Sequence, residues 1–190
     1  MSDALVIIPT FNEKENIEAI IRATFEQQTL FNVLIVDDNS PDGTSAIVTK
    51  LINESPKRLF LEKRKEKNGL GTAYIHGFKW AIKKNYEYII EMDADFSHNP
   101  KDLNSLYKVC KTDGADVSIG SRYVNNKVNV VNWDIKRLIL SYFASKYVKF
   151  ITRIPVFDTT AGFVCYKRKV LETIQLDKIK FVGYAFQIEM

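Results

Sequence analysis

The stretch Ile90-Glu91-Met92-Asp93-Ala94-Asp95 closes an apolar run that reads as a β-strand, and it decides how the rest of the chain is read. Side chains at i and i+2 on a strand share a face, so Asp93 and Asp95 can converge on one cation. Hard divalent ions such as Mg²⁺ are held by one or two carboxylates, with substrate phosphates and water completing the shell. The pair points to a metal–diphosphate site. The bland alternative is a solvated strand end, because Asp-x-Asp is a common pattern, and the surrounding sequence has to separate the two.

Working outward, short β-rich runs at residues 4–8, 33–36, 59–62, 88–92 and 117–120 alternate with stretches of helical periodicity. Ile17, Ile20, Ile21 and Thr24 recur at helical spacing, Thr44 opens 45–52, Thr72 opens 73–83, and 101–111 follows Pro100. Strands alternating with helices predict an α/β fold with a mostly parallel central sheet flanked by helices. In such sheets ligands bind outside the carboxyl ends of the strands, near the point where strand order reverses. The unusual polar residues fall there: Pro9-Thr10-Phe11-Asn12-Glu13 after the first strand, Asp37-Asp38-Asn39-Ser40-Pro41-Asp42-Gly43-Thr44 after the second, and Asp93-Ala94-Asp95 after the fourth. Three carboxylate-rich strand ends repel one another unless cations or hydrogen-bond donors offset them. A nucleotide with a metal supplies both.

The chain has 190 residues, 46% hydrophobic and 26% charged, which predicts one domain over 1–190 with a substantial core. No run approaches 18 uncharged apolar residues, and Met1-Ser2-Asp3-Ala4 leads directly into a strand-like segment, so neither a transmembrane helix nor a signal peptide is expected. Cys110 and Cys165 form neither a disulfide framework nor a ligand set, which makes the cytosol the default compartment. The net charge of +4 fits anionic phosphates or membrane surfaces and does not call for nucleic acid as a partner.

Each remaining motif carries two readings. Asp37 either caps the following turn and helix or joins the site. Asp38, with Pro9 and Glu13, can accept hydrogen bonds from a base or ribose; no Gly-x-Gly-x-x-Gly follows the first strand, which argues against a nicotinamide cofactor. Asn68-Gly69-Leu70-Gly71-Thr72-Ala73 either aims backbone N–H groups at an anion or makes a turn. His76 and His98 lack a second histidine at metal-ligand spacing. Arg122, in Gly120-Ser121-Arg122-Tyr123, offers bidentate donors to a phosphate or pairs with a nearby aspartate. The charge-rich stretch from Lys57 to Lys67 reads as a solvated edge and loop. Over 134–153, Ile135, Leu138, Ile139, Tyr142, Phe143, Tyr147, Phe150 and Ile151 recur at helical spacing with Lys136, Arg137, Lys146, Lys149 and Arg153 on other faces. This amphipathic basic segment packs on the domain edge or docks on an anionic membrane surface, and Arg137 and Ser141, four apart, can hold a second phosphate.

Together these segments resemble the family 2 glycosyltransferases of Rossmann-like GT-A fold, and within them the polyprenol (dolichol) phosphate mannose synthases. The resemblance also rests on Gly71-Thr72-Ala73-Tyr74-Ile75-His76-Gly77, Asp93-Ala94-Asp95-Phe96-Ser97-His98, Trp133-Asp134-Ile135-Lys136-Arg137 and Thr160-Ala161-Gly162-Phe163. It implies an inverting enzyme that moves mannose from GDP-mannose to a polyprenyl monophosphate on the cytoplasmic face of a membrane. It further implies that Pro9, Phe11, Glu13, Val36 and Asp38 bind the guanosine part, and that Asp93, Ala94 and Asp95 meet the diphosphate. Asp93 and Asp95 would hold Mg²⁺ or Mn²⁺, Asp95 foremost, while Arg122, Arg137 and Ser141 would bind the acceptor phosphate. Two departures stand out, Phe11 in place of the usual Tyr and Val164 where an Arg often follows Gly-Phe. Members of the family continue past residues 183–190, so the resemblance implies a chain truncated at its C-terminus. Rival expectations are a transferase of UDP-glucose or another nucleotide sugar, one acting on a sugar hydroxyl with Asp158 or Glu189 as base, and a fragment that binds nucleotide sugar without turning it over.

Overall fold

The structure is a computed structural model that describes residues 2–124, 127–128, 135–154, 156, 158–183 and 185–190, with backbone alone at 123–124, 127–128, 135–142 and 144. In chain order the elements are β1 (Ala4–Thr10), α1 (Ile17–Phe25), β2 (Asn32–Asp37), α2 (Thr44–Glu54), β3 (Leu59–Lys63), α3 (Leu70–Lys83) and β4 (Tyr88–Glu91). There follow α4 (Leu103–Lys111), β5 (Val117–Ile119), the short pair β6 (Tyr123–Val124) and β7 (Lys127–Val128), α5 (Ile135–Thr152), β8 (Val164–Lys167), α6 (Arg168–Thr173) and α7 (Phe186–Glu189).

The central sheet has the order β3-β2-β1-β4-β8-β5. β1 pairs in parallel with both β2 and β4, and β2 with β3, whereas β8 runs antiparallel between β4 and β5. The predicted mostly parallel sheet is present, and the order reverses between β1 and β4. Alternate residues of β1 and β2 feed two cores, as a pleated strand covered on both faces requires. Val6, Ile8, Val33 and Ile35 pack with Ile17, Ile20 and Ile21 of α1 and Val48 of α2. Leu5, Ile7, Leu34 and Val36 pack on the opposite face with Ala73, Tyr74 and Phe78 of α3 and with Phe186. Gly77 lets α3 lie close on β1, since a Cβ there would sit 2.7 Å from Ile7 Cγ2.

Three features depart from the sequence reading. β8 was not among the expected strands: Val-Cys-Tyr-Lys is short and lacks alternation, because its first three residues are all buried between two neighbours. α3 begins at Leu70, ahead of Thr72. Finally, β4 ends at Glu91, so Asp93 and Asp95 do not share a strand face; they stand on the loop beyond it, which turns at Phe96 with φ +57°.

Candidate active site

The loops after β1, β2 and β4 meet at the reversal point and enclose a cleft of about 510 Å³, within the range of small-molecule sites. Pro9, Phe11, Glu13, Asp38, Asp93, Ala94 and Asp95 line it, together with Lys67, Gly69, Leu70, Val182 and Gly183. Val36 does not: it is wholly buried in β2 among Leu34, Ala73 and Tyr74.

The Ser-Pro-Asp-Gly-Thr stretch rigidifies the first loop. Backbone N–H groups of Asn12, Glu13 and Lys14 donate to Ser40 Oγ, Thr44 Oγ1 and Asp42 Oδ2, each at 3.0 Å. These bonds hold Asn12 in the left-handed region at φ +61°, which a non-glycine residue adopts only when its surroundings fix it. Asp37 accepts from the hydroxyls of Thr10 (2.9 Å) and Ser40 (2.6 Å) and from Ser40 N–H, so its role is to brace the turn. Asp38 takes a bidentate pair from Arg64, Nε to Oδ1 at 2.5 Å and Nη2 to Oδ2 at 2.6 Å, and Arg64 also donates to Thr72 Oγ1. A planar fork on a nearly buried carboxylate fixes both groups. Lys67 places Nζ 4.2 Å over the Phe11 ring. Arg64 and Lys67 lie in the stretch read as solvated edge, and their signal was only proximity to the Gly69-Leu70-Gly71 segment.

Gly69 opens α3 with a positive φ, as the turn reading expects, and both glycines also admit a late segment of the chain. Gly71 N–H donates to Val182 O at 3.0 Å, and a Cβ at Gly71 would stand 2.6 Å from Phe186 Cδ2. At Gly69, φ is +95° and a Cβ would meet Val182 Cβ at 2.9 Å. Residues 180–183 and 185–190 thus form a strap seated on the start of α3, and Val182 and Gly183 of that strap wall the cleft.

On the β4 loop, Asp93 is partly exposed and accepts from Tyr74 O–H at 2.9 Å through Oδ1. Asp95 is exposed, with Oδ1 accepting from Ser97 N–H at 2.9 Å. Beneath them Glu91 is fully buried: Oε2 accepts from Gln187 Nε2 at 2.8 Å and Oε1 has no hydrogen-bond partner among the described residues. Burial, reinforced by the charge of Asp93, raises its pKa to about 8, against the Gln187 hydrogen bond, so Glu91 is mostly protonated at neutral pH. His98 stacks on Phe163, ring centroids 5.0 Å apart, with Nε2 4.0 Å from Asp93 Oδ2. Burial drives its pKa down to about 4; Asp95 and Asp158 favour the charged ring and Arg122 opposes it, but desolvation wins.

Arg122 is buried and pairs with Asp158: its N–H and Nε reach Oδ2 at 2.9 and 2.8 Å, and Nη2 reaches Oδ1 at 2.5 Å and Thr160 Oγ1 at 2.6 Å. An aspartate that Arg122 pairs with is thus Asp158. Arg137 and Ser141 lie on α5 with side chains outside the described residues, and Trp133 and Asp134 fall outside them altogether.

A sequence model described as "Glycosyl transferase family 2" matches residues 5–175. The chain belongs to glycosyl transferase family 2. This glycosyltransferase is 43% identical over 186 residues to a polyprenol monophosphomannose synthase of Mycolicibacterium smegmatis, covering 98% of this chain and 69% of that protein. It is 39% identical to an undecaprenyl-phosphate mannosyltransferase of Micrococcus luteus, covering 98% and 75%. In fold the family 2 chain matches the mannosyltransferase PcManGT of Pyrobaculum calidifontis, solved with GDP-Man and Mn²⁺ (TM-score 0.63, 22% identity, 91% of this chain and 46% of that one). S. aureus TarS in complex with UDP-GlcNAc matches with TM-score 0.66 at 18% identity, over 100% of this chain and 53% of the other. The expected GT-A fold is therefore present.

Proposed function

We propose that this glycosyltransferase moves mannose from GDP-mannose to a polyprenyl monophosphate with inversion at the anomeric carbon. The observation that carries this reading is the 43% identity with a polyprenol monophosphomannose synthase over 98% of the chain.

The cleft supports it in chemical terms. The nucleoside fits between the braced Pro9–Glu13 loop and the Asp38–Arg64 pair, with Phe11 and Lys67 at its side. Asp93 and Asp95 are hard oxygen donors at the cleft wall, a donor set that suits Mg²⁺ or Mn²⁺ completed by diphosphate oxygens and water. No group of three or more His, Cys, Asp or Glu side chains that could hold a metal occurs among the described residues, so in this reading the substrate supplies the other ligands. When bound, the ion supplies Lewis-acid neutralisation of the charge on departing GDP.

The acceptor chemistry follows from what the late carboxylates do. A phosphate monoester, with its second pKa near ~6, is largely dianionic at neutral pH and attacks without a general base. A sugar hydroxyl would need a carboxylate in reach. Both oxygens of Asp158 are buried on Arg122, and Glu189 Oε2 accepts from the N–H groups of Lys180 and Phe181. Neither is arranged as a base. Arg122 and the α5 residues Arg137 and Ser141 are the proposed acceptor-phosphate ligands.

A lipid acceptor also fits α5. Phe143, Tyr147, Phe150 and Ile151 are exposed along one stripe of α5, beside exposed Lys146 and Lys149, with exposed Arg153 and Ile154 just past its end. An aromatic stripe flanked by cations suits the interface of an anionic membrane, and no described helix is long and apolar enough to cross one.

Calorimetric titration of GDP-mannose and of UDP-glucose, each with Mn²⁺ and with EDTA, tests the donor. The reading expects metal-dependent binding of GDP-mannose that Asp95→Ala abolishes. Preference for UDP-glucose would replace the donor, and unchanged binding by Asp95→Ala would remove that residue from the metal site.

A further inference from the structure

We infer that Tyr74 is the positioning residue for Asp93, and that through it the 180–190 strap sets the geometry of the metal loop. The inference rests on the donor-site reading above. Tyr74 lies on α3, is wholly buried, and its hydroxyl donates to Asp93 Oδ1 at 2.9 Å. A buried hydroxyl with no partner is costly, and a charge-assisted bond to a carboxylate is stronger than a neutral one. The pair therefore binds the carboxylate to one direction.

What distinguishes Tyr74 from a merely satisfied core phenol is how its ring is held. Phe78 packs against it with centroids 6.2 Å away at 23°, and Phe186 of the strap at 6.1 Å and 6°. Wholly buried against two near-parallel rings, the ring is held in place, so the hydroxyl is a fixed point against which Asp93 is set. Asp93 Oδ2 then faces the backbone of Gly162, where a Cβ would stand 3.5 Å away, and His98. The next residue of the strap, Gln187, donates to Glu91, two positions before Asp93. Two successive strap residues thus reach the end of β4 and its loop by separate routes, Phe186 through the Tyr74 ring to Asp93 and Gln187 through its amide to Glu91, the last residue of β4. Groups that orient a ligating carboxylate typically change metal affinity or activity 10- to 100-fold when removed.

Tyr74→Phe removes the hydroxyl and keeps the stacked ring. Its binding of GDP is to be titrated by calorimetry with increasing Mn²⁺ and with EDTA, beside the parent, with thermal unfolding of both. The expected result is GDP binding in Mn²⁺ weakened about 10- to 100-fold relative to the parent, with GDP binding in EDTA and the melting profile little changed. Identical Mn²⁺ curves for variant and parent would overturn the role of Tyr74 and leave the donor reading intact. An equal loss with Mn²⁺ and with EDTA would also overturn it, as general loosening of the cleft. A parent whose GDP affinity ignores Mn²⁺ would overturn the metal reading itself and this inference with it.

Discussion

Two buried acids, Glu91 and Asp158, meet their surroundings differently. Arg122 covers both oxygens of Asp158, and removing one partner from such a pair strands the other. Arg122→Ala should therefore lower stability by about 3–5 kcal/mol, seen in the urea midpoint, and weaken acceptor use in the folded fraction while sparing GDP binding. Glu91 instead remains protonated. Its folded pKa, about 8, lies above the ordinary 4.5, so the native state holds more protons and stability falls as pH rises between those values. His98, lowered from 6.5 to about 4, has the opposite effect and is exhausted above 6.5. From about pH 6.5 to 8 the Glu91 slope stands alone of the two, at most ~1.4 kcal/mol per pH unit. Glu91→Gln should flatten the decline of melting temperature across that window, and a variant with the parent's slope would contradict the assignment. Among the residues that line the cleft, Asp38, Asp93 and Asp95 were legible because carboxylates at strand ends are conspicuous. Arg64 and Lys67 were not, because in a charge-rich run nothing in the sequence separates a paired arginine from a solvated one.

At the scale of elements, the strap connects the glycines of α3 to the cleft. Gly71→Ala must displace Phe186, whose ring would stand 2.6 Å from the new Cβ. We expect a loss of about 1–3 kcal/mol, typical of overpacking, together with weaker GDP binding and faster proteolysis within 180–190. A variant as stable as the parent, with unaltered GDP affinity, would show that the strap is not seated as described. The helix α5 has its own test. Burying one exposed phenylalanine in an interface contributes about 1.5–3 kcal/mol, so Phe150→Glu should lower partition to vesicles of phosphatidylcholine and phosphatidylglycerol roughly tenfold or more. Equal partition of variant and parent would assign the stripe to packing instead. Alternating strands and helices made β1 to β4 and their helices readable. β8 escaped because a four-residue strand whose first three residues are all buried carries no period, and the strap escaped because its partner, the start of α3, is more than a hundred residues away in sequence.

Across the whole molecule, a parallel sheet whose order reverses between β1 and β4 brings three carboxylate-rich loops to one cleft. That convergence was expected from the strand ends alone. The insertion of an antiparallel β8 beside β4 was not, and it brings Gly162 and Phe163 against Asp93 and His98. The molecule also carries the buried Arg122 and an exposed aromatic stripe on α5, which the proposed function assigns to the acceptor lipid phosphate. The most direct test is transfer itself: labelled GDP-mannose incubated with this chain, Mn²⁺ and undecaprenyl phosphate in detergent, with label followed into the lipid phase. The account predicts mannosyl lipid that disappears with EDTA or with Asp95→Ala; a chain that binds GDP-mannose yet leaves the lipid unlabelled, or that labels it only from UDP-glucose, would contradict it.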